Sequence, residues 1–539
     1  MQNITIYDTT LRDGAQAEEL NLTTQDKVRI AQKLDDLGIH YIEGGWPGSN
    51  PTDRRFFDEI KSYRFKNAKL AAFGSTHLAK TTPEKDPNLT GLLEAETPVV
   101  TIFGKTWDLH ATTALGIPLE RNLELIANSV AFLKARVDEV FFDAEHFFDG
   151  FKRNPEYAMQ ALTAAFEAGA DRIILCDTNG GSLTSEVGEA VAAVRKRLPE
   201  ASLGIHAHND SELAVANSLE AVRLGATQVQ GTINGYGERC GNANLCSVIP
   251  NLELKMGFDV IGRENLSRLL SVSHFVSEIG NLRPFMRQPF VGSSAFAHKG
   301  GIHVSAILKD SRTYEHIEPE TVGNERRVLL SDQAGKSNIL FKARELGYEL
   351  AKGDPTLDRL LKELKAKESM GYEYSVADAS FELMLREALG KPLNYFHFRH
   401  FFVVDAKREE DAEPMSEATV IVDVKGQQEH TAATGMGPVN ALDQALRKGL
   451  ERFYPQLRDI RLLDFKVRVL SGAVRDTGGT ASFVRVLVET GDATDRWTTM
   501  GVSHNIIEAS WQAVVDAINY KLFKDEMAEA AKQDGSSDQ

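Results

Sequence analysis

The sequence is poor in cysteine and contains no long apolar run. Only three of its 539 residues are cysteines, namely Cys176, Cys240 and Cys246, and no two of them form a CxxC pair. Three thiols are too few for a disulfide framework, which favours a reducing compartment. No apolar run reaches the roughly 18 residues that a membrane-spanning helix requires, so we expect no membrane partner.

Basic residues are also fewer than acidic ones. The chain has 61 lysines and arginines against 77 aspartates and glutamates, for a formal net charge of −16. An acidic surface repels polyanions, so this balance argues against nucleic acid as a partner. Met1 is followed closely by a strand-like segment, Ile4–Tyr7, without the basic and apolar regions of a secretory signal. We therefore expect a cytoplasmic protein.

The chain does contain a regular alternation of strand-like and helical segments. Its 539 residues exceed what one hydrophobic core usually supports, which predicts two or three domains. In residues 1–258, eight β-branched runs are each followed by a segment able to form a helix, which is typical of parallel strands joined by crossover helices. The runs are Ile4–Thr9, Tyr41–Gly45, Leu70–Ser75, Val99–Gly104, Glu139–Glu145, Arg172–Thr178, Ser202–His208 and Gln228–Asn234. Eight strand-helix units predict a TIM barrel.

A doubly wound open sheet is the alternative to the barrel. Such a sheet ordinarily has a glycine-rich phosphate-binding turn after its first strand, and Arg12-Asp13-Gly14 occupies that place here. The helices themselves fit either architecture. Thr24–Leu37, for example, has an apolar stripe at helical spacing and is followed by Gly38, a helix stop signal.

Two further regions follow the predicted barrel. Residues 259–391 are dominated by helical patterns, which predicts helical connector subdomains. Strands return in residues 392–526, where the sequence repeats with an offset of 65 residues, so that Gly426 corresponds to Gly491. Each copy reads as strand, turn, strand, glycine-containing loop and amphipathic helix, which predicts a duplicated α+β domain that binds a ligand or another subunit. Residues 527–539 are polar and small, and we expect them to be disordered.

Polar residues cluster where the predicted strands end. In a TIM barrel the C-terminal ends of the strands form the active-site face. The polar segments at these positions are Asp8–Gly14, Glu43, Asp143–His146, Asp177–Asn179, His206–Asp210 and Asn234–Asn242. We therefore expect one polar active site at this face of the barrel.

Two histidines in this set have the spacing of metal ligands. His206 and His208 lie two residues apart in predicted strand seven, so both can point into the barrel mouth and bind one metal ion. An isolated HxH more often places one histidine in the core and one at the surface, but the other polar strand ends favour a shared site. Oxygens of Asp13 and Asn242 would complete a set of two nitrogens and two oxygens. Such a set suits Zn²⁺, Mn²⁺, Co²⁺ or Mg²⁺, and the sequence does not choose among them.

Three motifs resemble those of the DRE-TIM metallolyase superfamily, specifically its 2-isopropylmalate, homocitrate and citramalate synthases. They are Tyr7–Gly14, His206–Asp210 and Asn234–Asn242. The connector and the duplicated C-terminal region resemble that family's subdomains and regulatory domain, so the resemblance covers nearly the whole chain. Within the family, Glu43–Pro51 and Phe142–Gly150 look like the citramalate synthases. The 2-isopropylmalate synthases usually have Ala-Gly-Phe after the glutamate.

The resemblance implies a metal-dependent Claisen condensation of acetyl-CoA with a small 2-oxo acid, which for citramalate synthases is pyruvate. The product, (R)-citramalate, leads to 2-oxobutanoate on a threonine-independent route to isoleucine. Asp13, His206, His208 and, less directly, Asn242 are implied as ligands of a divalent ion that polarises the ketone.

Four barrel residues receive roles in this reaction. Arg12 is expected to stabilise negative charge on the enolate or alkoxide, with a salt bridge at the barrel rim as the alternative. Glu145 is expected to orient the acetyl group or a water molecule, or to transfer a proton, with a structural ion pair as the alternative. The resemblance places Thr178 at the oxo-acid carboxylate and Glu43 near the substrate, whereas both would otherwise be loop caps.

His303 and Tyr314 lie outside the predicted barrel. In the family, matching residues reach the active site from the connector region of a partner subunit and act in acid-base chemistry, so the resemblance implies a domain-swapped homodimer. An imidazole with an ordinary pKa of about 6.5 exchanges protons readily at neutral pH. Without the resemblance, His303 would be interpreted as a surface histidine.

Other activities are compatible with parts of the sequence. A 2-isopropylmalate or homocitrate synthase would use the same chemistry on a larger 2-oxo acid. A lyase of the same superfamily is disfavoured by the duplicated C-terminal domain, and an inactive amino-acid sensor is disfavoured by the intact metal-site residues. The resemblance and the glycine-containing loops at Gly435–Gly437 and Gly501 lead us to expect isoleucine as an effector of the C-terminal domain. The sequence does not rank isoleucine against leucine.

Overall fold

The computed structural model divides the chain into two compact units. The first unit comprises Met1–Phe296 with Ile317–Arg326, and the second comprises Ala297–His316 with Arg327–Gln539. The described residues are 3–331, 333–393, 395–407, 409–411, 413–470 and 482–535. Within these ranges, every helix is too short or too polar to cross a bilayer.

The first unit contains a closed barrel of eight parallel strands, which confirms the predicted TIM barrel. Each strand pairs with the next, and the last strand closes the barrel by pairing with the first. The strands are β1 Thr5–Asp8, β2 Tyr41–Gly45, β3 Lys69–Ser75, β4 Val99–Lys105, β5 Glu139–Glu145, β6 Arg172–Asp177, β7 Leu203–Ala207 and β8 Gln228–Gly231. All eight C-terminal ends therefore meet at one face, which brings the polar strand ends together.

Helices surround the barrel, and the first of them begins and ends at the predicted residues. The helix α1 spans Thr24–Leu37, with a capping box between Thr23 and Asp26 at its start and Gly38, at φ 90°, at its end. The others in this unit are α2 Pro51–Ile60, α3 Pro87–Glu94, α4 Leu119–Lys134, α5 Phe147–Arg153, α6 Pro155–Glu167, α7 Thr184–Arg197, α8 Ala214–Arg223, α9 Leu245–Pro250, α10 Arg263–Leu266 and α11 Leu269–Ile279.

An aromatic layer fills part of the barrel interior. Tyr7, Tyr41 and Phe141 are buried together, with ring centroids 6.0 Å apart for Tyr7 and Tyr41 and 5.2 Å apart for Tyr41 and Phe141. Side chains of this size pack the interior of a TIM barrel as a core rather than leaving a pore. The polar strand ends therefore form the floor of a cavity.

The second unit begins with helices and one short parallel strand pair. The strands are β9 Ala297–His298 and β10 Arg327–Val328. The helices are α12 Gly301–Ile307, α13 Lys336–Glu345, α14 Pro355–Ser369 and α15 Asp378–Ala388. This agrees with the helical character predicted for the region after the barrel.

The repeat in the second unit forms two similar α+β halves. Each half is a three-stranded antiparallel sheet followed by a helix. The first half contains β11 His397–Ala406, β12 Met415–Val424, β13 Gln427–Gly435 and α16 Pro438–Leu450. The second contains β14 Arg461–Leu470, β15 Phe483–Gly491, β16 Arg496–Ser503 and α17 Ile506–Gly535. The sequence predicted two strands in each copy, and the structure adds β11 and β14, whose residues are mostly exposed and lack a regular alternation.

The prediction that the C-terminal segment is disordered was wrong for the residues from Met527 to Gly535. The helix α17 runs to Gly535, so the segment from Met527 to Gly535 is helical, although its composition led us to expect disorder. Alanine, glutamate and lysine have high intrinsic helix propensity, and this explains how a polar segment continues the helix. Residues 536–539 lie outside the described residues.

Candidate active site

A cavity of about 230 Å³ opens where the barrel strands end. Its lining includes side chains from β3 to β7 and from the loops that follow β1, β2, β6, β7 and β8. Six of the predicted site residues are among them: Arg12, Asp13, Glu145, Thr178, His206 and His208.

Asp13, His206 and His208 form a compact set of potential metal ligands. One ligand atom from each of the three lies within 4.8 Å of the other two. The Nε2 atoms of the histidines are 3.3 Å apart, and Oδ2 of Asp13 lies 3.2 Å from His206 Nε2 and 3.8 Å from His208 Nε2. All three side chains are buried. His206 on β7 and His208 just after its end thus direct both imidazoles to the same face, as the sequence predicted.

The local electrostatics favour the metal-binding protonation states of Asp13 and His208. Burial and the neighbouring His206 together lower the pKa of His208 to about 4. Burial also lowers the pKa of His206, but the hydrogen bond and the charge of Asp13 outweigh it and raise the pKa above its usual value. Burial opposes ionisation of Asp13, but the charge on Arg12 and a hydrogen bond with His206 hold the pKa of Asp13 well below its usual range. A neutral imidazole and an ionised carboxylate are the forms that act as metal ligands.

An unsatisfied polar atom also fits a metal site. Within the described residues, Oδ1 of Asn242 is buried and has no hydrogen-bond partner. A backbone bridge holds Asn242 beside His208. Because buried polar atoms are nearly always paired, this oxygen points to a group that the protein chain does not supply. The donor set of imidazole nitrogens with carboxylate and amide oxygens suits a divalent ion.

Gln230 orients one of the imidazoles. Oε1 of Gln230 lies 2.9 Å from Nδ1 of His206, and Nε2 of Gln230 donates to Oδ1 of Asp143 at 3.1 Å. Because Nδ1–H of His206 donates to Gln230, Nε2 of His206 carries no hydrogen and is available as a metal ligand. Burial and the charge on Glu43 raise the pKa of Asp143 to about 7. Gln230 was not predicted from the sequence, although a glutamine within a short barrel strand was a signal.

Arg12 is fixed by a chain of buried groups. Its Nε donates to Oε1 of Glu43 at 2.6 Å, and Oε2 of Glu43 accepts from the hydroxyl of Tyr7 at 2.7 Å. The guanidinium carbon lies 3.8 Å from the ring centroid of Phe73. Burial lowers the pKa of Arg12, but Glu43 and Asp13 outweigh it, so the guanidinium stays charged. Glu43 is fully buried and holds Arg12 from below the cavity.

Glu145 and Thr178 lie on neighbouring strand ends. Glu145 forms an ion pair with Lys105, the last residue of β4, which sequence analysis did not single out. Oγ1 of Thr178 accepts from the main-chain N–H of His146 at 2.9 Å, and the carbonyl of Thr178 accepts from Nη2 of Arg239 at 2.8 Å. Arg239 also lines the cavity. The structure therefore adds Lys105 and Arg239 to the charged groups of the site.

An aromatic wall limits the width of the cavity. Trp46, Phe73 and Phe103 all line it, and their ring centroids lie 5.5 to 5.9 Å apart. The indole N–H of Trp46 donates to Asn88 at 2.7 Å, which fixes the ring. Such a wall accepts a small apolar group and hinders a larger one.

Comparison with known proteins places this architecture in a family. Residues 3–276 match the HMGL-like family model, residues 290–370 match the homocitrate synthase post-HMGL domain-like model, and residues 375–522 match the LeuA allosteric (dimerisation) domain. The chain is 57% identical to the (R)-citramalate synthase of Geobacter sulfurreducens, over 99% of this chain and 100% of that protein. It is 55% identical to the (R)-citramalate synthase of Aquifex aeolicus, over 97% and 99% of the two chains. The chain belongs to the (R)-citramalate synthase family.

Similarity to the related 2-isopropylmalate synthases is lower. The enzyme of that name from Methanocaldococcus jannaschii is 31% identical over 97% of this chain and 95% of its own length. The ranking agrees with the prediction from Glu43–Pro51 and Phe142–Gly150, which resemble the (R)-citramalate synthase family more closely than the 2-isopropylmalate synthases.

His303 and Tyr314 belong to the second unit. His303 lies on α12, and Tyr314 follows a short 3-10 turn, Ser311–Thr313. Their rings stack with centroids 4.2 Å apart and an interplanar angle of 29°. Both residues are exposed, so the pair can present an imidazole and a phenol together at the surface of this unit.

Proposed function

We propose that this chain is an (R)-citramalate synthase that condenses acetyl-CoA with pyruvate and hydrolyses the product to citramalate and CoA. The buried Asp13–His206–His208 set at the cavity carries this proposal, because a ketone must be made electrophilic for attack by an enolate. The product would serve a threonine-independent route to isoleucine by way of 2-oxobutanoate.

A divalent ion held by Asp13, His206, His208 and Asn242, such as Mn²⁺, Mg²⁺, Zn²⁺ or Co²⁺, would supply Lewis-acid polarisation of the pyruvate ketone. Arg12, charged and fixed by Glu43, stabilises the negative charge that develops on oxygen during the reaction. Thr178 binds the carboxylate of the oxo acid. Arg239, which is ion-paired with Asp210 and donates to the carbonyl of Thr178, lies on that side of the cavity.

Proton transfer is assigned to Glu145, His303 and Tyr314. One proton must leave the acetyl methyl group before the carbon-carbon bond forms, and the resulting alkoxide must gain one. Glu145 lines the cavity, forms an ion pair with Lys105, and orients the acetyl group or a water molecule. His303 and Tyr314 stack on each other and would reach this site from the partner subunit of a domain-swapped homodimer.

The dimensions of the cavity favour pyruvate. The cavity has a volume of about 230 Å³, and Trp46, Phe73 and Phe103 form one of its walls. If the side chain of the acceptor packs against this wall, the methyl group of pyruvate has more room there than the larger side chains of 2-oxoisovalerate and 2-oxoglutarate. This supports pyruvate over the acceptors of 2-isopropylmalate and homocitrate synthases.

The chain divides into three functional regions under this proposal. We assign residues 1–258 to the catalytic barrel, 259–391 to connector subdomains and 392–526 to an allosteric and dimerisation domain. The match of residues 375–522 to the LeuA allosteric (dimerisation) domain supports a homodimer. Isoleucine is the proposed effector, with its site at the loops around Gly435–Gly437 and Gly501.

The test is release of CoA thiol from acetyl-CoA with pyruvate, 2-oxobutyrate, 2-oxoisovalerate or 2-oxoglutarate as acceptor. The assay starts from chelator-treated protein and adds Mn²⁺, Mg²⁺, Zn²⁺ or Co²⁺ separately. We expect release to require a metal ion and to be fastest with pyruvate. His206→Ala should abolish release, whereas His274→Ala, an exposed histidine on α11, should have no effect. Fastest release with 2-oxoisovalerate or 2-oxoglutarate would overturn the assignment to pyruvate.

A further inference from the structure

His146, the residue after Glu145, has an unusual backbone conformation. Its φ of 56° and ψ of 33° lie in the left-handed region, at the junction between β5 and α5. Residues other than glycine rarely adopt this conformation, because their Cβ atom approaches the neighbouring carbonyl oxygen. A residue other than glycine keeps a left-handed backbone conformation only where contacts with the surrounding structure hold it there.

Several contacts hold His146 in place. Its Nδ1 lies 3.0 Å from Oδ2 of Asp149, and the same oxygen accepts from Nδ2 of Asn179 at 3.0 Å. The imidazole also meets His110 edge to face, with ring centroids 4.3 Å apart. The ring of His146 thus contacts the segment after β4 directly through His110, and Asp149 of α5 links it to Asn179 in the loop after β6.

This conformation directs the main-chain N–H of His146 at Thr178. The N–H donates to Oγ1 of Thr178 at 2.9 Å, and Thr178 lines the cavity. A threonine hydroxyl has a single hydrogen and accepts through its lone pairs. Because Oγ1 accepts from His146, its own hydrogen must point away from that N–H. The hydroxyl is then available to donate to an acceptor in the cavity.

We propose that His146 is a positioning residue for the carboxylate of the 2-oxo acid. The side chain locks the left-handed backbone, the backbone N–H orients the hydroxyl of Thr178, and this hydroxyl donates to the oxo-acid carboxylate. The inference rests on the proposed function, because the role of Thr178 belongs to that proposal. It adds a requirement for the side chain of His146, which does not line the cavity itself.

The test measures binding and turnover separately in the full-length, Mn²⁺-loaded protein. For His146→Ala, we expect the Kd of pyruvate by calorimetry and the KM of pyruvate to rise on the order of tenfold, as for one lost hydrogen bond to a charged group. The KM of acetyl-CoA should stay unchanged. His146→Asn should largely restore pyruvate binding, because asparagine adopts the left-handed conformation more readily than most residues.

A matched control separates this role from general backbone strain. Lys425 also has a positive φ, 49°, in the turn between β12 and β13 of the second unit. Lys425→Ala should leave both KM values unchanged. A rise in the KM of pyruvate for this variant equal to that of His146→Ala would overturn the proposal, because the effect would then not require the contact with Thr178.

A double-mutant cycle decides whether His146 acts through Thr178. In a Thr178→Ala background, His146→Ala should cause no further rise in the Kd of pyruvate. Additive losses would overturn the proposal and indicate an effect through the adjacent Glu145. If the wild type binds pyruvate and His146→Ala binds it equally well, this inference alone fails. If the wild type binds none of the four 2-oxo acids, the proposed function fails and the inference fails with it.

Discussion

Arg12 depends on a buried carboxylate that does not itself reach the cavity. Glu43 accepts from Arg12 with one oxygen and from Tyr7 with the other, so its orientation is fixed from both sides. A charged pair of this kind is costly to break, because removing one partner leaves the other charge buried and uncompensated. The position of the guanidinium in the cavity is therefore set by residues on β1 and β2.

Glu43→Gln tests this dependence. The substitution preserves the shape of the side chain and removes its charge, so the guanidinium of Arg12 keeps an acceptor but loses its buried ion pair with the carboxylate. We expect a fall in kcat with a small change in the KM of pyruvate, measured by steady-state kinetics. Tyr7→Phe, which removes only the hydroxyl, is the milder control. Equal kinetics for wild type and Glu43→Gln would contradict the proposed role of the pair.

Gln230 offers a test of the metal site that does not rely on turnover. Because it accepts from Nδ1 of His206, Gln230→Leu should leave the imidazole free to rotate or to change tautomer. Loss of such a partner typically weakens metal binding by about 10- to 100-fold. Competition with a coloured chelator measures the affinity directly. An unchanged affinity for every divalent ion would argue against His206 as a ligand.

At the scale of elements, sequence patterns predicted the barrel better than the C-terminal sheets. The helix α1 has a clear apolar stripe, a capping box and a terminal glycine, so its bounds could be read directly. The strands β11 and β14 were missed, because most of their residues are exposed and no alternation marks a buried face. The residues of the candidate site likewise differ in how well the sequence predicts them. His206 and His208 could be predicted from their spacing, whereas Gln230 and Lys105 gain their roles only from partners on other strands.

The helix α17 contains a titratable group with a predictable effect on stability. Burial raises the pKa of Asp516 to about 6, although the hydroxyl of Ser380 donates to its carboxylate at 2.8 Å. The pKa is higher in the folded chain than the unfolded value of about 3.9, so the folded state binds the proton more tightly. The contribution of Asp516 to the stability of the folded chain is therefore greatest below about pH 4, and it is lost as the pH rises through about 6.

Asp516→Asn should remove this loss of stability. We expect the variant to gain on the order of 1–2 kcal/mol relative to wild type between about pH 4 and pH 8, a modest value because water retains some access to the carboxylate. Thermal unfolding followed across this pH range measures the difference. A constant difference between the two proteins at all pH values would contradict the raised pKa.

The loop before α16 offers a test of regulation. Deleting everything after Pro392 would remove the proposed effector site, but it would also remove Met500 and Val502, which pack in the same apolar cluster as Leu357 and Phe381. Gly437 is a better position, because a Cβ atom added there meets no other atom within 4 Å. Gly437→Val should weaken inhibition by isoleucine without unfolding the domain, as measured by inhibition curves and thermal unfolding. Unchanged inhibition would move the effector site elsewhere.

At the scale of the whole molecule, the proposed function combines residues of two subunits in one active site. Arg12 belongs to the barrel unit, whereas His303 and Tyr314 belong to the second unit. The match to a LeuA allosteric (dimerisation) domain supports assembly into dimers. If the partner subunit supplies His303, each active site combines residues of two chains.

Subunit mixing tests this arrangement. Arg12→Ala and His303→Ala homodimers should each be nearly inactive. After exchange of subunits, mixed dimers would contain one intact site each, so activity should recover to about a quarter of the wild-type value. Lys309→Ala, at an exposed position just after α12, serves as the control for substitution in this region. No recovery, with mixed dimers verified by mass spectrometry, would mean that each site is built from one chain.

The most direct test of the account as a whole is a competition between acceptors. Metal-loaded protein receives limiting acetyl-CoA with equal concentrations of pyruvate and 2-oxoisovalerate, and the products are quantified by mass spectrometry. The product ratio reports the ratio of kcat/KM for the two acids. We predict that citramalate dominates and that neither product forms once the metal ion is removed. A predominance of 2-isopropylmalate, or formation of citramalate without any divalent ion, would contradict the account.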